Sequence, residues 1–220
     1  MRKLLLLRPE PGLQASVERA ASLGLDTIAC PLFTVEPIAW ETPDAGNYDA
    51  LLLTSANAIR QAGPGLDGLK RLPVHAVGQA TAAAARDAGL EVVGVGWAGV
   101  SELLATLPPS ARLLHLAGED RRPAESGHSI DIRTVYRAVP VADPALPSLD
   151  GLVVAVHSPR AGARLAELSP RRARASVAAI SETAAQACGE GWERIRTAVR
   201  PDDESLLALA AMLCHTSPPE

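Results

Sequence analysis

The chain has 220 residues and a net charge of −4, with 21 lysines and arginines against 25 aspartates and glutamates. Its hydrophobic fraction of 47% is enough for a folded core and excludes a disordered chain. Only 3% of the residues are aromatic, and together with the acidic balance this argues against binding of nucleic acid or of an anionic membrane. An anionic ligand would have to be bound by a local cluster of groups.

Short apolar runs alternate with amphipathic stretches along the chain, a pattern typical of βα units built around parallel sheets. In chain order, the predicted strands are 3–8, 26–33, 50–54, 74–77, 91–95, 112–117, 131–136, 152–156, 175–180 and 195–199. The predicted helices are 13–23, 56–62, 80–89, 100–107, 161–167, 182–189 and 204–214.

Two stretches of the chain resemble each other at a spacing of about 100 residues. The segment LLLTSANAIRQAG is similar to VAVHSPRAGARLA, which pairs Ser55 with Ser158. VHAVGQATAAAARDAG is similar to VAAISETAAQACGEG, which pairs Thr81 with Thr183. A repeat of this length exceeds any solenoid unit and predicts two similar α/β domains.

The repeat starts near residue 50, so the first βαβ unit needs a sheet to join. Assigning its two strands to the C-terminal sheet gives two similar α/β domains, each with a five-stranded parallel sheet flanked by helices. One domain is then discontinuous, 1–34 with 143–220, and the other is 40–134. Segments 35–39 and 135–142 connect the domains as a two-stranded β-ladder. A double connection of this kind predicts a hinge and a cleft between the domains.

Small hydroxyl residues stand where predicted strands end and helices begin: Thr54, Ser55, Thr81, Ser158 and Thr183. Each could be an N-cap, whose hydroxyl accepts a hydrogen bond from a free backbone N–H. The same positions could bind a ligand, because ligands of parallel sheets bind beyond the carboxyl ends of the strands, where helix N-termini attract anions. The two interpretations are compatible.

Gly94–Gly99 matches the dinucleotide-binding pattern G-x-G-x-x-G after a predicted strand, with Glu119 roughly 20 residues further on. The bulky Trp97 occupies the turn in which backbone should approach a pyrophosphate, and the following helix is short. An NAD(P)-dependent oxidoreductase is therefore an alternative interpretation that depends on this loop alone. The arginines at 121, 122, 160, 164, 171, 172 and 174 could attract an anion or form a solvated surface.

The cysteines Cys30, Cys188 and Cys214 are odd in number and widely spaced, which favours free thiols in a reducing compartment. The five histidines lack any metal-ligand spacing, so we expect no metal. The apolar run 4–7 is shorter than the core of a signal peptide, and no segment reaches transmembrane length. We therefore predict a cytoplasmic protein without metal or cofactor.

The chain resembles the uroporphyrinogen-III synthase family nearly from end to end, and eight segments carry this resemblance. They are LLLLRP, YDALLLTSANAIR, VHAVGQATAAAARDAG, LLHLAGE, TVYRAVPV, VVAVHSPRAG, AAISETAAQA and VRPDDESLLALAAML. Singly they are weak patterns, and their common order and spacing make the resemblance specific.

The resemblance implies a cyclising hydro-lyase of tetrapyrrole biosynthesis, of the heme, siroheme or chlorophyll type. Such an enzyme takes linear hydroxymethylbilane, removes water and closes the ring with inversion of the last pyrrole. It implies no cofactor and no metal, a small-molecule substrate with several carboxylates, and no nucleic acid or membrane partner. It also suggests a monomer that takes over its substrate from hydroxymethylbilane synthase.

The resemblance also implies a set of substrate-binding positions in this sequence. They are Arg8, Thr54, Ser55, Asn57, Thr81, Gly118, Ser158 and Thr183. Tyr136 is the expected catalytic side chain, as proton donor to the departing hydroxyl, and the alternative is an aromatic that packs the hinge. The segment EDRRPAESGHSID departs from the helix usual in the family, so we expect that wall of the cleft to differ. A two-domain module that binds a tetrapyrrole or another anion without turnover is the second alternative.

Overall fold

The computed structural model describes residues 1–96, 99–120 and 127–216. Within these residues the strands are β1 Leu4–Leu6, β2 Thr27–Ala29, β3 Phe33–Pro37, β4 Ala50–Leu53, β5 Val74–Val77, β6 Val92–Gly96, β7 Arg112–Gly118, β8 Ser129–Pro140, β9 Val153–Val156, β10 Ser176–Ala179 and β11 Arg194–Thr197. The α-helices are α1 Gly12–Ser22, α2 Ala56–Gln61, α3 Gln79–Asp87, α4 Val100–Ala105, α5 Pro159–Leu168, α6 Glu182–Ala187 and α7 Asp203–His215. Short 3₁₀ helices span Ala45–Asn47 and Gly63–Leu69.

The chain divides into two compact units. The terminal unit contains Met1–Thr34 and Pro140–Glu220, and the central unit is Val35–Val139. Each unit has its own sheet and its own core, and each is described separately below. The hinge between them stays a prediction.

The sheet of the terminal unit has the order β11-β10-β9-β1-β2, and every neighbouring pair is parallel. The prediction of a parallel sheet of five strands is confirmed here. β1 and β9 are apolar throughout because helices cover both faces of the sheet, so both strands are buried along their length. Leu206 and Leu207 of α7 pack in the same core as Leu4 and Leu6 of β1.

The sheet of the central unit has the order β3-β8-β7-β4-β5-β6, with parallel pairing from β8 to β6. The prediction of five strands is wrong for this sheet. β8 continues to Pro140 instead of ending at residue 136, and β3 pairs with its second half. Hydrogen bonds from Ile38 N to Val135 O and from Val141 N to Leu32 O run in the antiparallel sense.

The predicted strand 26–33 is two strands, β2 and β3, in different sheets. Pro31 lies between them, and proline has no N–H to donate to a strand ladder. The chain can therefore leave one sheet at this residue and enter the other.

Two of the predicted N-caps are confirmed. Ser55 Oγ accepts from Asn57 N at the start of α2, and Ser158 Oγ accepts from Ala161 N at the start of α5. These hydroxyls satisfy backbone N–H groups that the first turn leaves without helical partners.

The cap prediction is wrong for the two threonines. Gly78, with φ of +81°, is the N-cap of α3, and Thr81 lies inside that helix. Ser181 is the N-cap of α6, where its Oγ accepts from Ala184 N, and Thr183 lies inside this helix. In both cases a residue nearer the strand ends the extended backbone first, so the threonine falls within the first turn.

Candidate active site

The candidate residues of the terminal unit lie at one point of its sheet. After β1 the chain continues to β2 on one side, and after β9 it continues to β10 on the other side of the sheet. Because the two connections run in opposite directions, β1 and β9 flank a topological switch point. Ligands of open parallel sheets bind outside the carboxyl ends of such strands. Arg8 follows β1 and Ser158 follows β9, which brings these two predicted residues to that point.

The central unit repeats the arrangement. Its switch point lies between β4, which leads towards β5, and β7, which leads towards β8. Thr54 and Ser55 follow β4 directly, Asn57 lies in the first turn of α2, and Gly118 ends β7. Four predicted residues are therefore brought to the carboxyl end of the two strands that flank this switch point.

Thr81 and Thr183 lie one strand away from the switch points, after β5 and β10 respectively. Thr81 is only 5% exposed, so its hydroxyl is poorly accessible to a ligand. Thr183 is exposed, and its Oγ1 lies 3.0 Å from Ser181 Oγ. Of the two, Thr183 is the more accessible hydroxyl.

A buried histidine orients Thr54 at the central switch point. His115 Nε2 lies 3.0 Å from Thr54 Oγ1, and His115 is 6% exposed on β7. This hydrogen bond joins the residue that follows β4 to the middle of β7 through their side chains. Sequence reasoning missed His115 because a histidine within an apolar strand has no spacing signal that identifies its partner.

Tyr136 lies against Gly118. The register of β7 and β8 shifts between Ala117 and Gly118, so Gly118 pairs with Tyr136. Glu119 N donates to Tyr136 O at 2.9 Å and holds the backbone in this register. The expected catalytic residue and an expected binding residue are thus in direct contact.

An acidic side chain that sequence reasoning did not single out organises the terminal switch point. Asp203, the first residue of α7, accepts through Oδ1 from Ser16 Oγ at 2.7 Å, from His157 Nε2 at 2.7 Å and from Arg8 Nη1 at 3.1 Å. Its Oδ2 accepts from Arg19. We call these five residues the Asp203 cluster. The only sequence signal is an acidic residue directly before the predicted helix 204–214, which is common at helix starts.

The cluster fixes the protonation of its members. Burial by itself raises the pKa of the Asp203 carboxyl, but hydrogen bonds from His157 and Ser16 and the charge of Arg8 outweigh it and hold that pKa well below its usual range. Burial lowers the pKa of His157, and the hydrogen bond to Asp203 only partly offsets this. At neutral pH the carboxylate is therefore ionised and His157 is neutral, with its proton on Nε2.

Several expectations concern groups outside these switch points. Among residues 1–96, 99–120 and 127–216, no cluster of three or more His, Cys, Asp or Glu side chains could hold a metal ion. The three cysteines are free and buried, and burial raises the pKa of Cys188 and Cys214 to about 11. In the described part of the chain, no helix is long and apolar enough to span a membrane.

Two hypotheses from the sequence fall partly outside the described residues. In the dinucleotide-type loop, residues 97 and 98 are not described, whereas Gly99 caps the short helix α4. Arg121 and Arg122 also lie outside, within the segment that departs from the family pattern.

The chain is similar to one known protein family over most of its length. The family model described as uroporphyrinogen-III synthase HemD matches residues 14–208. No curated protein matches the sequence significantly. Uroporphyrinogen-III synthetase from Helicobacter pylori 26695 is 19% identical with a TM-score of 0.68, and the alignment covers 97% of this chain and 100% of that one. A mutant uroporphyrinogen III synthase from the extremely thermophilic bacterium Thermus thermophilus is 21% identical with a TM-score of 0.55, over 96% and 99% of the two chains. Both likenesses show a common α/β fold.

Proposed function

The chain belongs to the uroporphyrinogen-III synthase family, and we propose that its two switch points bind the carboxylates of the linear tetrapyrrole that this family cyclises. The activity is that of a cyclising lyase: hydroxymethylbilane loses water and closes with inversion of its last pyrrole ring. The proposal concerns which residues of this chain bind the substrate and which one assists the loss of water.

One observation carries the assignment of the binding residues. In each sheet, predicted residues lie at the carboxyl ends of the two strands that flank the switch point, Arg8 and Ser158 in the terminal unit and Thr54, Ser55 and Gly118 in the central unit. Open parallel sheets bind their ligands at such points. Asn57, Thr81 and Thr183 belong to the same proposal, although the burial of Thr81 makes it the weakest member.

The groups available at these points suit carboxylates. Ser158 uses its oxygen to accept from Ala161 N, which leaves its O–H to donate to a ligand. The N-terminus of the ten-residue helix α5 adds a partial positive charge. The guanidinium of Arg8 is a cation that can donate a charge-assisted hydrogen bond to a carboxylate.

We assign Tyr136 as the proton donor to the departing hydroxyl. The pyrrole that carries this hydroxyl can ionise with help from its own ring nitrogen, so the protein needs to supply only a proton to the oxygen that leaves as water. A phenol can donate such a hydrogen bond at neutral pH. Support comes from the position of the Tyr136 ring, which lies against Gly118 at the carboxyl end of β7.

In this proposal the main task of the protein is to fold the linear chain for the inverted closure and to prevent the closure without inversion. Fixed hydrogen-bond donors do this by positioning, which contributes to rate without a strong acid or base. The proposed enzyme needs no metal or cofactor. Loss of activity on chelation that a divalent ion restores would contradict this part.

We further propose a cytoplasmic monomer that takes its substrate from hydroxymethylbilane synthase. The three free, buried cysteines suit a reducing compartment. A substrate that can also close without the enzyme favours direct transfer from the enzyme that makes it.

The deciding experiment incubates the protein with hydroxymethylbilane made enzymatically, followed by oxidation and chromatography of the products. The proposal expects the III isomer. The I isomer alone would instead indicate a module that binds a tetrapyrrole without turnover. Titration with NAD(H) tests the oxidoreductase alternative, and saturable binding there with no III isomer would favour it.

A further inference from the structure

The side chains of the Asp203 cluster differ in exposure, from buried ones inside the terminal unit to partly exposed ones at its surface. The side chains of His157 and Asp203 are 8% and 16% exposed, whereas those of Arg8 and Arg19 are 29% and 44% exposed. The carboxylate is thus the buried anchor of the cluster, and the two guanidinium groups lie at its rim. Arg8 also donates to Ser16 Oγ at 2.9 Å, so its Nη1 is held by two acceptors.

Gly12 leaves room for the same guanidinium on another side. Gly12 is the first residue of α1, and a Cβ built there would lie 2.6 Å from Arg8 Nη2 and 2.7 Å from Arg8 Nε. The guanidinium therefore lies against bare backbone, in space that any side chain at position 12 would occupy. Gly12 and Asp203 belong to different elements, and both decide where the Arg8 guanidinium can lie: Asp203 binds it and Gly12 leaves it room.

The charges within the cluster do not cancel. Arg8 and Arg19 are both cationic and share one carboxylate, and the buried His157 is neutral. Counted over these five side chains alone, the charge of the cluster is +1. An arginine has many rotamers to lose when it binds a ligand, so a guanidinium already held in place binds an anion with a smaller entropic cost.

We propose that Asp203 and Gly12 are positioning residues that hold the Arg8 guanidinium at the switch point for a carboxylate of the substrate. This inference rests on the proposed function, because it takes Arg8 as a residue that binds the linear tetrapyrrole. Asp203 and Gly12 act through Arg8 and need not touch the substrate.

The test measures KM and kcat for enzymatically made hydroxymethylbilane in two variants with different effects on folding. Asp203→Asn removes the anchoring charge at nearly constant size, and we expect KM to rise roughly tenfold or more, as for loss of a charge-assisted hydrogen bond, with a much smaller change in kcat. Gly12→Ala crowds the guanidinium but introduces a better helix former, so KM should rise while thermal stability is kept.

The matched control is Asp202→Asn, which removes a neighbouring carboxylate that contacts Ser205 and Arg200 but not Arg8. Its KM should stay at the wild-type value. Combining Arg8→Ala with Asp203→Asn should raise KM no more than Arg8→Ala alone, because both changes remove the same interaction.

Three outcomes would overturn the inference: an unchanged KM in Gly12→Ala and Asp203→Asn, an unchanged KM in Arg8→Ala, or fully additive effects in the double variant. Each of these results is read against a wild-type protein that forms the III isomer. Failure of the wild-type protein to form that isomer would instead overturn the proposed function itself.

Discussion

The ring of Tyr136 lies so close to Gly118 that a Cβ at position 118 would be 2.6 Å from Tyr136 Cζ and 2.8 Å from its hydroxyl oxygen. Real side chains do not tolerate such distances, so any residue other than glycine at 118 must displace the phenol. The shift in register that pairs these two residues is therefore what puts the proposed proton donor at the end of β7.

Gly118→Ala is expected to lower turnover by displacing the phenol from its position. The effect should approach that of removing the hydroxyl, because a group moved by about 1 Å loses much of its catalytic contribution. Steady-state turnover measures it. Gly127→Ala is the matched control, since a Cβ at 127 meets no atom of the described residues within 4 Å. Turnover equal to wild type in Gly118→Ala would contradict the proposed role of the contact.

Tyr136→Phe keeps the ring and removes only the hydroxyl. If the phenol protonates the departing oxygen, turnover should fall by about 10²–10⁴-fold, the usual contribution of a positioned acid, with the melting temperature nearly unchanged. Tyr48→Phe is the control, because the only other tyrosine donates to Asp131 rather than lying at the switch point. A folded Tyr136→Phe protein with wild-type turnover would assign this residue to packing.

Ser55→Ala and Ser158→Ala should each lower the free energy of unfolding by about 0.5–2 kcal/mol, because each removes the acceptor that caps a helix. Thr183→Ala should leave it nearly unchanged, since Ser181 is the cap of that helix. Urea denaturation of the three variants measures the difference. Equal losses in all three would show that Thr183 contributes to stability in a way its position inside α6 does not explain.

Stability should fall as pH drops below about 7, and His157 should account for part of this. The pKa of His157 is lowered in the folded protein by burial and by the charge of Arg8, while the unfolded chain has a histidine pKa of about 6.5. The unfolded state therefore binds the proton first, and acidification favours it by up to about 1.4 kcal/mol per pH unit. This loss of stability begins near pH 6.5 and continues until the pH reaches the lowered pKa of His157 in the folded state.

Asp203 adds a second loss at lower pH. Its carboxyl pKa is lowered in the folded state, so its stabilising contribution is complete above the unfolded value of about 3.9 and is lost as pH falls below it. Denaturation at several pH values should show a flatter profile between pH 7 and 5 in His157→Gln than in wild type. His75, whose pKa burial also lowers, remains in both proteins, and parallel profiles would exclude a contribution of His157.

Part of the site could be predicted from sequence because it depends on where strands end. Thr54, Ser55 and Ser158 lie within two residues of the end of an apolar run, and the positions at the ends of parallel strands share one edge of a sheet. The sequence predicts Thr81 and Thr183 as caps, whereas the helices begin after Gly78 and Ser181, two or three residues earlier. Such a shift within one turn has no signal in hydrophobic periodicity.

The sequence by itself determined the α/β class, the repeat and most strands and helices, because these follow from local periodicity and from which runs of residues are apolar enough to be buried. Only the tertiary structure decided that β3 pairs with β8, that His115 contacts Thr54, that Gly118 lies under Tyr136 and that Asp203 anchors Arg8. Each of these contacts joins residues of different elements, and it forms because folding brings those elements together. A hydrophobic pattern within one segment indicates whether that segment is buried. It does not indicate which distant side chain will form a hydrogen bond with a polar group there.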